Sequence, residues 1–139
     1  SFSNIHIKSS KEKNTGDWIE ITNNYNIAID LSLYKIIIKT SKKEKEFVFP
    51  IGTTLSRLNK LFIVNKYKDF TKNNSKSNFV LGNLPKLKLG KTILTLVNPQ
   101  GDLIDTFTYN GENITSESIT FSSNGINSKT KRIWKIIND

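Results

Sequence analysis

One histidine and no cysteine limit the chemistry this chain can carry. His6 stands between Ile5 and Ile7 in an alternating run, where it reads as an outward or sheet-edge residue rather than a base or a metal ligand. A Ser-His-Asp triad would have to rest on His6 alone, which that position argues against, and the Cys/His sets of structural zinc sites cannot be assembled within one chain. Oxygen ligands remain, because Asp102 and Asp105, with Asn98 nearby, carry the oxygens that Ca²⁺ takes. They lack the dense Asp/Asn/Gly loop of strong calcium sites, so turn and strand-end duty is the stronger reading. The seven glycines are dispersed and form neither a P-loop nor a Gly-x-Gly-x-x-Gly phosphate cradle. No catalytic residue, metal, cofactor or small-molecule substrate is expected, and the chain reads as a non-enzyme.

The remaining candidate chemistry is positive charge. Lys86, Lys88 and Lys91 alternate with Leu87 and Leu89, a spacing that predicts lysines along one strand face. Lys129, Lys131, Arg132 and Lys135 form an acid-free cluster around Trp134. Such a stripe beside an aromatic ring would hold phosphates and stack a base, which is nucleic-acid binding without sequence choice. The competing reading is a solvated sheet edge that its lysines guard against strand-to-strand association. The net charge of +9, from 21 basic against 12 acidic residues, suits an anionic partner. It also has a plainer source: arginine occurs only at Arg57 and Arg132 and alanine only at Ala28, a composition that AT-rich codons produce.

These groups must be positioned by short extended elements. At 139 residues the chain is long enough to bury a core without a disulfide or a metal, and one domain over 1–139 is expected. Val, Ile, Phe, Tyr and Thr cluster in runs of five to eight, separated by Asn, Gly, Ser, Lys and Pro. Phe2 to Ile7 and Asp17 to Thr22 alternate, with Ile19 and Ile21 facing one way and Trp18 and Glu20 the other. Leu33 to Thr40 and Glu46 to Phe49 follow as strands around a charged tip, Ser41 to Lys45. Pro50 ends that ladder, having no N–H to donate. Thr54 to Tyr67 reads as a loop and then a strand, and Lys68 to Asn78 as an exposed mobile loop. Thr92 to Val97 and Asp102 to Tyr109 make a hairpin about Asn98-Pro-Gln-Gly101. Ser118 to Phe121 and Arg132 to Ile137 offer two closing strands around Asn124-Gly125. Eight or nine strands without a long helical pattern predict an all-β sandwich.

No apolar run approaches the roughly 18 residues of a membrane span, and Ser1 is expected to open a processed or excised piece. Asn73-Asn-Ser75 and Asn113-Ile-Thr115 fit the glycosylation triplet, which arises readily by chance in so Asn-rich a chain.

Three ordered motifs carry a resemblance. Gly16-Asp-Trp-Ile-Glu-Ile-Thr-Asn23, with Asp30-Leu-Ser-Leu-Tyr-Lys-Ile36 after it, resembles the opening of bacterial lamin-tail domains. Phe47-Val-Phe-Pro-Ile-Gly-Thr-Thr-Leu55 is similar to the family's Phe-x-Phe-Pro-x-Gly-Thr-x-Leu corner, and Leu94 to Tyr109 to its Asn-Pro-x-Gly hairpin closed by Asp and Tyr. Together they span most of residues 5 to 109. The chain departs from the family at Lys88-Leu-Gly-Lys91, where Asn-x-Gly-Asp is frequent.

The resemblance implies an immunoglobulin-like sandwich without catalysis. It also implies attachment to surface or secreted proteins, hence a protein or cell-envelope partner and an extracytoplasmic location. On this reading Trp18, Glu20, Asn23, Asp30, Leu31, Tyr34, Pro50, Gly52, Asn98, Gly101, Asp105 and Tyr109 are structural, and Glu20 is either solvated or pinned to a neighbouring loop. Short Asn and Asp side chains bond nearby amides, and glycine takes angles other residues resist.

Overall fold

The computed structural model describes residues 1–8, 16–73, 79–88, 90–110, 118–123 and 134–138. The alternating runs fold as the period of two requires. In chain order they are β1 (Phe2–Lys8), β2 (Trp18–Thr22), β3 (Ile29–Asp30), β4 (Lys35–Thr40), β5 (Glu44–Val48), β6 (Thr54–Leu55) and β7 (Lys60–Val64). A short helix, α1 (Tyr67–Asn73), precedes β8 (Val80–Leu81), β9 (Thr92–Val97), β10 (Leu103–Tyr109), β11 (Ser118–Ser123) and β12 (Trp134–Asn138). Three of the strands, β3, β6 and β8, are two residues long. Such short pairings leave no periodic signal, which is why the sequence shows only eight or nine.

Two sheets face each other, one ordered β12-β11-β1-β2-β7-β8 and the other β10-β9-β4-β5, with β3 and β6 paired separately. All pairings are antiparallel except β7 with β8. Ile5, Ile7, Ile19, Ile21, Leu61 and Ile63 enter the core from the first sheet, and Ile36, Ile38, Phe47, Leu94, Leu96, Phe107 and Tyr109 from the second. The chain is thus nearly all-β, an immunoglobulin-like sandwich. Among the described residues no helix is long and apolar enough to cross a membrane.

The expected mobile loop from Lys68 is helical through Asn73, while 74–78 lie outside the described residues. The reason is Phe70, which is buried at 1% exposure and meets Trp18 and Phe62 on the outer face of the first sheet, with ring centroids 6.2 and 5.2 Å away. Burying that ring stabilises by roughly 1.5–3 kcal/mol, enough to hold a two-turn helix whose intrinsic stability is negligible. Trp18 therefore faces out from the sandwich, as its alternation with Ile19 requires, but into a second small apolar cluster.

The hairpin β9–β10 carries a bulge between Leu103 and Asp105. It turns Asp105 inward, where Oδ2 accepts the Phe2 N–H at 2.7 Å and Oδ1 the Thr106 N–H at 2.9 Å. A buried carboxylate thus joins the edge of one sheet to the first strand of the other.

Candidate functional site

Strand directions divide the loops between two ends of the sandwich. The chain leaves β2, β5 and β9 and enters β4, β7 and β10 at one end; the far end holds the β4–β5 tip, the start of β9 and the close of β10. The ends differ in chemistry.

The first end is apolar. Of the ten exposed large apolar side chains among the described residues, eight gather here: Tyr25, Ile27, Leu33, Val48, Ile51, Leu58, Leu103 and Ile104. Ile51 is 81% exposed and Ile27 70%. A groove of about 450 Å³ opens at this end, and two of the eight, Tyr25 and Ile104, line it together with Ile21, Tyr34 and Leu55.

Polar bonds brace the loops that present this surface. Buried Asn23 donates Nδ2 to the carbonyls of Ile27, Leu55 and Ser56 and accepts the Tyr25 N–H on Oδ1. Asp30 accepts both the N–H and the hydroxyl of Ser32, which hold its carboxyl below the usual carboxylate range. Ser32 Oγ in turn accepts the Gly52 N–H, where φ is +90°. Pro50 supplies the carbonyl that takes the Thr53 N–H and hydroxyl. Leu31 is core, and Tyr34 packs against the core. Leu33 and Leu58 lie in the left-handed region, at φ 64° and 58°. For a branched side chain that conformation costs about 1–2 kcal/mol each.

In the nearby β9–β10 turn, Asn98 Oδ1 accepts the N–H groups of Gln100 and Asp102, and its Nδ2 donates to Asp102 Oδ2. Gly101 completes it at φ +88°. The oxygens considered for Ca²⁺ are thus engaged in turn and inter-sheet bonds. Among the described residues no group of three or more acidic or imidazole side chains is placed to hold a metal.

The far end is cationic. Lys42 and Lys43 at the β4–β5 tip, with Lys88 and Lys91, line an open groove of about 640 Å³ whose other walls are Thr40, Ser41, Gly90 and Asn110. Among the described residues no carboxylate is in that lining. Lys86 and Lys88 are exposed and Leu87 is buried, so the alternation holds, but the segment pairs with no strand. It is a strap tied down by side chains instead. Buried Asp17 accepts the Leu87 N–H at 2.8 Å, the Tyr109 hydroxyl donates to the Lys88 carbonyl at 2.8 Å, and the Leu84 N–H reaches the Val64 carbonyl. The Leu87 N–H is spent on Asp17 rather than on a neighbouring strand, so the expected strand does not form over the described residues 86–88. Burial pushes the Tyr109 hydroxyl above the ordinary tyrosine range; its bond with Thr92 opposes this and the charge on Asp17 adds to it.

Asp17 itself is fixed by a reciprocal bridge. Its N–H donates to Asn65 Oδ1 at 2.9 Å, its carbonyl accepts the Asn65 N–H, and its Oδ2 accepts Asn65 Nδ2 at 3.3 Å. Sequence reading missed both this bridge and the two tip lysines. Asp17 stands beside motif residues without an obvious partner, and Lys42 and Lys43 read as an ordinary solvated turn.

Of the rest of the expected basic stripe, only Trp134 and Lys135 lie among the described residues. Trp134 and Lys135 lie on β12, in register with Ser123 and Ser122, at the other edge of the first sheet. Lys129, Lys131 and Arg132 lie outside the described residues, as do Leu89, Asn74-Ser75 and Asn113-Ile-Thr115. His6 sits on β1 opposite Trp18 and Thr120. Glu20 is pinned to neighbouring strands rather than to a loop. The Ser3 hydroxyl and Asn4 Nδ2 donate to its Oε1, and Lys60 Nζ stands 3.6 Å from Oε2.

Comparison with curated proteins finds no match. The family model described as Lamin Tail Domain matches residues 1–111, a stretch that holds both grooves and all but the last two strands. Immunoglobulin-like domains of this kind are generally non-enzymatic. By that match over most of its length, the chain belongs to the lamin tail domain family.

Proposed function

We infer that this chain is a non-catalytic binding and assembly module whose apolar end engages a protein or cell-envelope partner. One observation carries the reading: among the described residues, eight of the ten exposed large apolar side chains stand on the loops and strand ends at one end of the sandwich. Single exposed apolar residues are ordinary, but many at one end of a domain mark a surface that something covers. The surface is also preorganised. Asn23 and Ser32 fix the loops by buried and short bonds, and two leucines are held in a backbone conformation they would not choose alone. Strain kept at a surface of this kind is characteristic of recognition loops.

The test replaces Tyr25 and Ile51 by Ser within the parent polypeptide. Both side chains are more than half exposed, so the fold should melt at an unchanged temperature. Assembly or location of the parent should shift as it does when the whole domain is deleted. Unchanged assembly in both the deletion and the double variant would sink the reading.

Nucleic-acid binding draws on the lysine groove, yet among the described residues no aromatic ring lines it. Base stacking adds a sequence-tolerant contribution to single-strand binding, so the apolar end is the better-supported surface.

A further inference from the structure

Among the described residues β5 is the outermost strand of the second sheet and pairs with β4 alone. The ladder between them assigns each backbone group of β5 to a side. The Phe49 N–H donates to the Tyr34 carbonyl at 2.8 Å and the Lys43 carbonyl accepts the Thr40 N–H at 2.9 Å, and the register between these two bonds runs without a shift. In an antiparallel ladder alternate residues turn both of their groups to the same neighbour. Lys45 and Phe47 therefore bond to β4, while the N–H and C=O groups of Glu44, Glu46 and Val48 point away from it. Among the described residues nothing bonds to these outward groups, and all three residues are exposed.

An open edge invites any strand, so sheets guard their edges with charge. Here the guard is selective. Glu44, Glu46 and Val48 share the outer face of the sheet, where Glu44 stands opposite Lys39 and Glu46 lies 3.8 Å from Lys35. Lys45 alternates with them on the face of buried Phe47. This pattern rejects a second copy of the chain. Antiparallel self-pairing about Lys45 sets Lys45 against Lys45 and Glu44 against Glu46, and self-pairing about Glu46 sets that carboxylate against itself. Like charges directly opposite destabilise a sheet, and opposite charges support it. A different strand meets no such penalty when it carries basic residues opposite Glu44 and Glu46, an acid opposite Lys45, and apolar residues opposite Phe47 and Val48. Repelling one partner while attracting another is how an interface becomes specific.

We propose that β5 takes up an extended segment of another protein as an added antiparallel strand, reading apolar-apolar-basic-acidic-basic from the apolar end of the sandwich. Main-chain bonds to Glu44, Glu46 and Val48 supply affinity, and the charge register supplies choice. The probe is the peptide acetyl-Thr-Val-Ile-Lys-Glu-Lys-Thr-amide, titrated against the intact chain beside the same peptide with Glu-Lys-Glu at its charged positions. All its cross-strand charge pairs turn repulsive in the inverted peptide, which should bind about tenfold more weakly. Amide exchange at Glu44, Glu46 and Val48 should slow on binding, while Lys45 and Phe47, already bonded to β4, change little.

Glu46→Pro removes one outward N–H and leaves the β4 ladder whole, since edge strands accept proline where the N–H faces solvent. The variant should keep its fold and lose the peptide. If it unfolds, the pair Glu44→Lys and Glu46→Lys serves instead, because it should reverse the preference between the two peptides. The exposed pairs it breaks contribute little to stability. Absent binding, equal binding of the two peptides, undiminished binding by folded Glu46→Pro or unchanged exchange at the three amides would overturn the proposal. So would protection that grows with protein concentration alone, which would put a second copy on the edge. Tyr25 and Ile51 lie outside this ladder, so the serine variant that tests the apolar end should bind the peptide as before, and either test can fail while the other succeeds.

Discussion

Replacing Gly16 by Ala tests how the strap beneath the lysines is held. Gly16 has φ +70°, and a Cβ there would fall well inside 3.0 Å of Asn65 Oδ1 and close to the Lys66 side chain. The left-handed conformation alone costs Ala about 1–2 kcal/mol. The clash adds to this, because Asn65 Oδ1 is the acceptor for the Asp17 N–H at 2.9 Å and cannot move aside without breaking that bond. A buried donor left unpaired costs about 1–3 kcal/mol, so the total loss should be about 3 kcal/mol.

Gly101, at φ +88° with nothing within 4 Å of its Cβ direction, supplies the control, and its replacement by Ala should cost the backbone contribution alone. Unfolding entropy of roughly 2.1 cal/mol/K per residue converts these losses to melting temperatures. Over 139 residues Gly16→Ala should lower Tm by about 10 °C and Gly101→Ala by about 3–7 °C. Calorimetry, with urea unfolding to check that the m-value is unchanged, measures both. Equal losses in the two variants would refute the steric argument and with it the claim that Asn65 holds Asp17 under the strap.

The other expectations concern single side chains. Asn23→Ala removes three donated bonds and one accepted bond at a buried site and should cost about 2–4 kcal/mol by denaturant unfolding, whereas a loss below about 1 would mean water takes its place. Leu58→Asn should raise stability by about 0.5–1 kcal/mol, since Leu58 is exposed at φ 58° and Asn tolerates that region; weakened assembly of the parent protein would show that the strain serves recognition. Tyr109 has its folded pKa raised above the unfolded value of about 10, so its contribution is complete below that pH and is lost as pH climbs towards the folded value. Tyr109→Phe should cost about 1 kcal/mol at neutral pH and flatten the fall in stability above pH 10, and a fall just as steep would assign it to other groups.

The sandwich was legible because Ile19, Ile21, Leu94, Leu96 and Phe107 each alternate with a polar or partly exposed neighbour, and burial acts on that period directly. Phe70 was not. Between Asp69 and Thr71 it looks like one apolar residue in a polar loop, and only the outer-face partners Trp18 and Phe62, distant in sequence, give it something to pack against. The strap shows the same limit from the other side. Lys86, Leu87 and Lys88 have the burial pattern of a strand, but their tethers are Asp17 and Tyr109 rather than a ladder, and side-chain tethers leave no period to read. The cationic groove was half legible for a related reason: Lys88 and Lys91 stand out in sequence, while Lys42 and Lys43 join them only because β4 and β9 pair so that Thr40 meets Thr92.

That pairing also explains how one small sandwich can hold two unlike surfaces. The register from Lys35 opposite Val97 to Thr40 opposite Thr92 covers five residue steps, about 17 Å of extended backbone. Over that distance salt at physiological strength screens most of the interaction between exposed charges, so the lysines at one end place little field on the apolar end. Between the two lies a continuous core with Ile36, Ile38, Leu94 and Leu96 all nearly inaccessible, which resists deformation. The geometry keeps two chemically unlike surfaces apart at opposite ends of one rigid core.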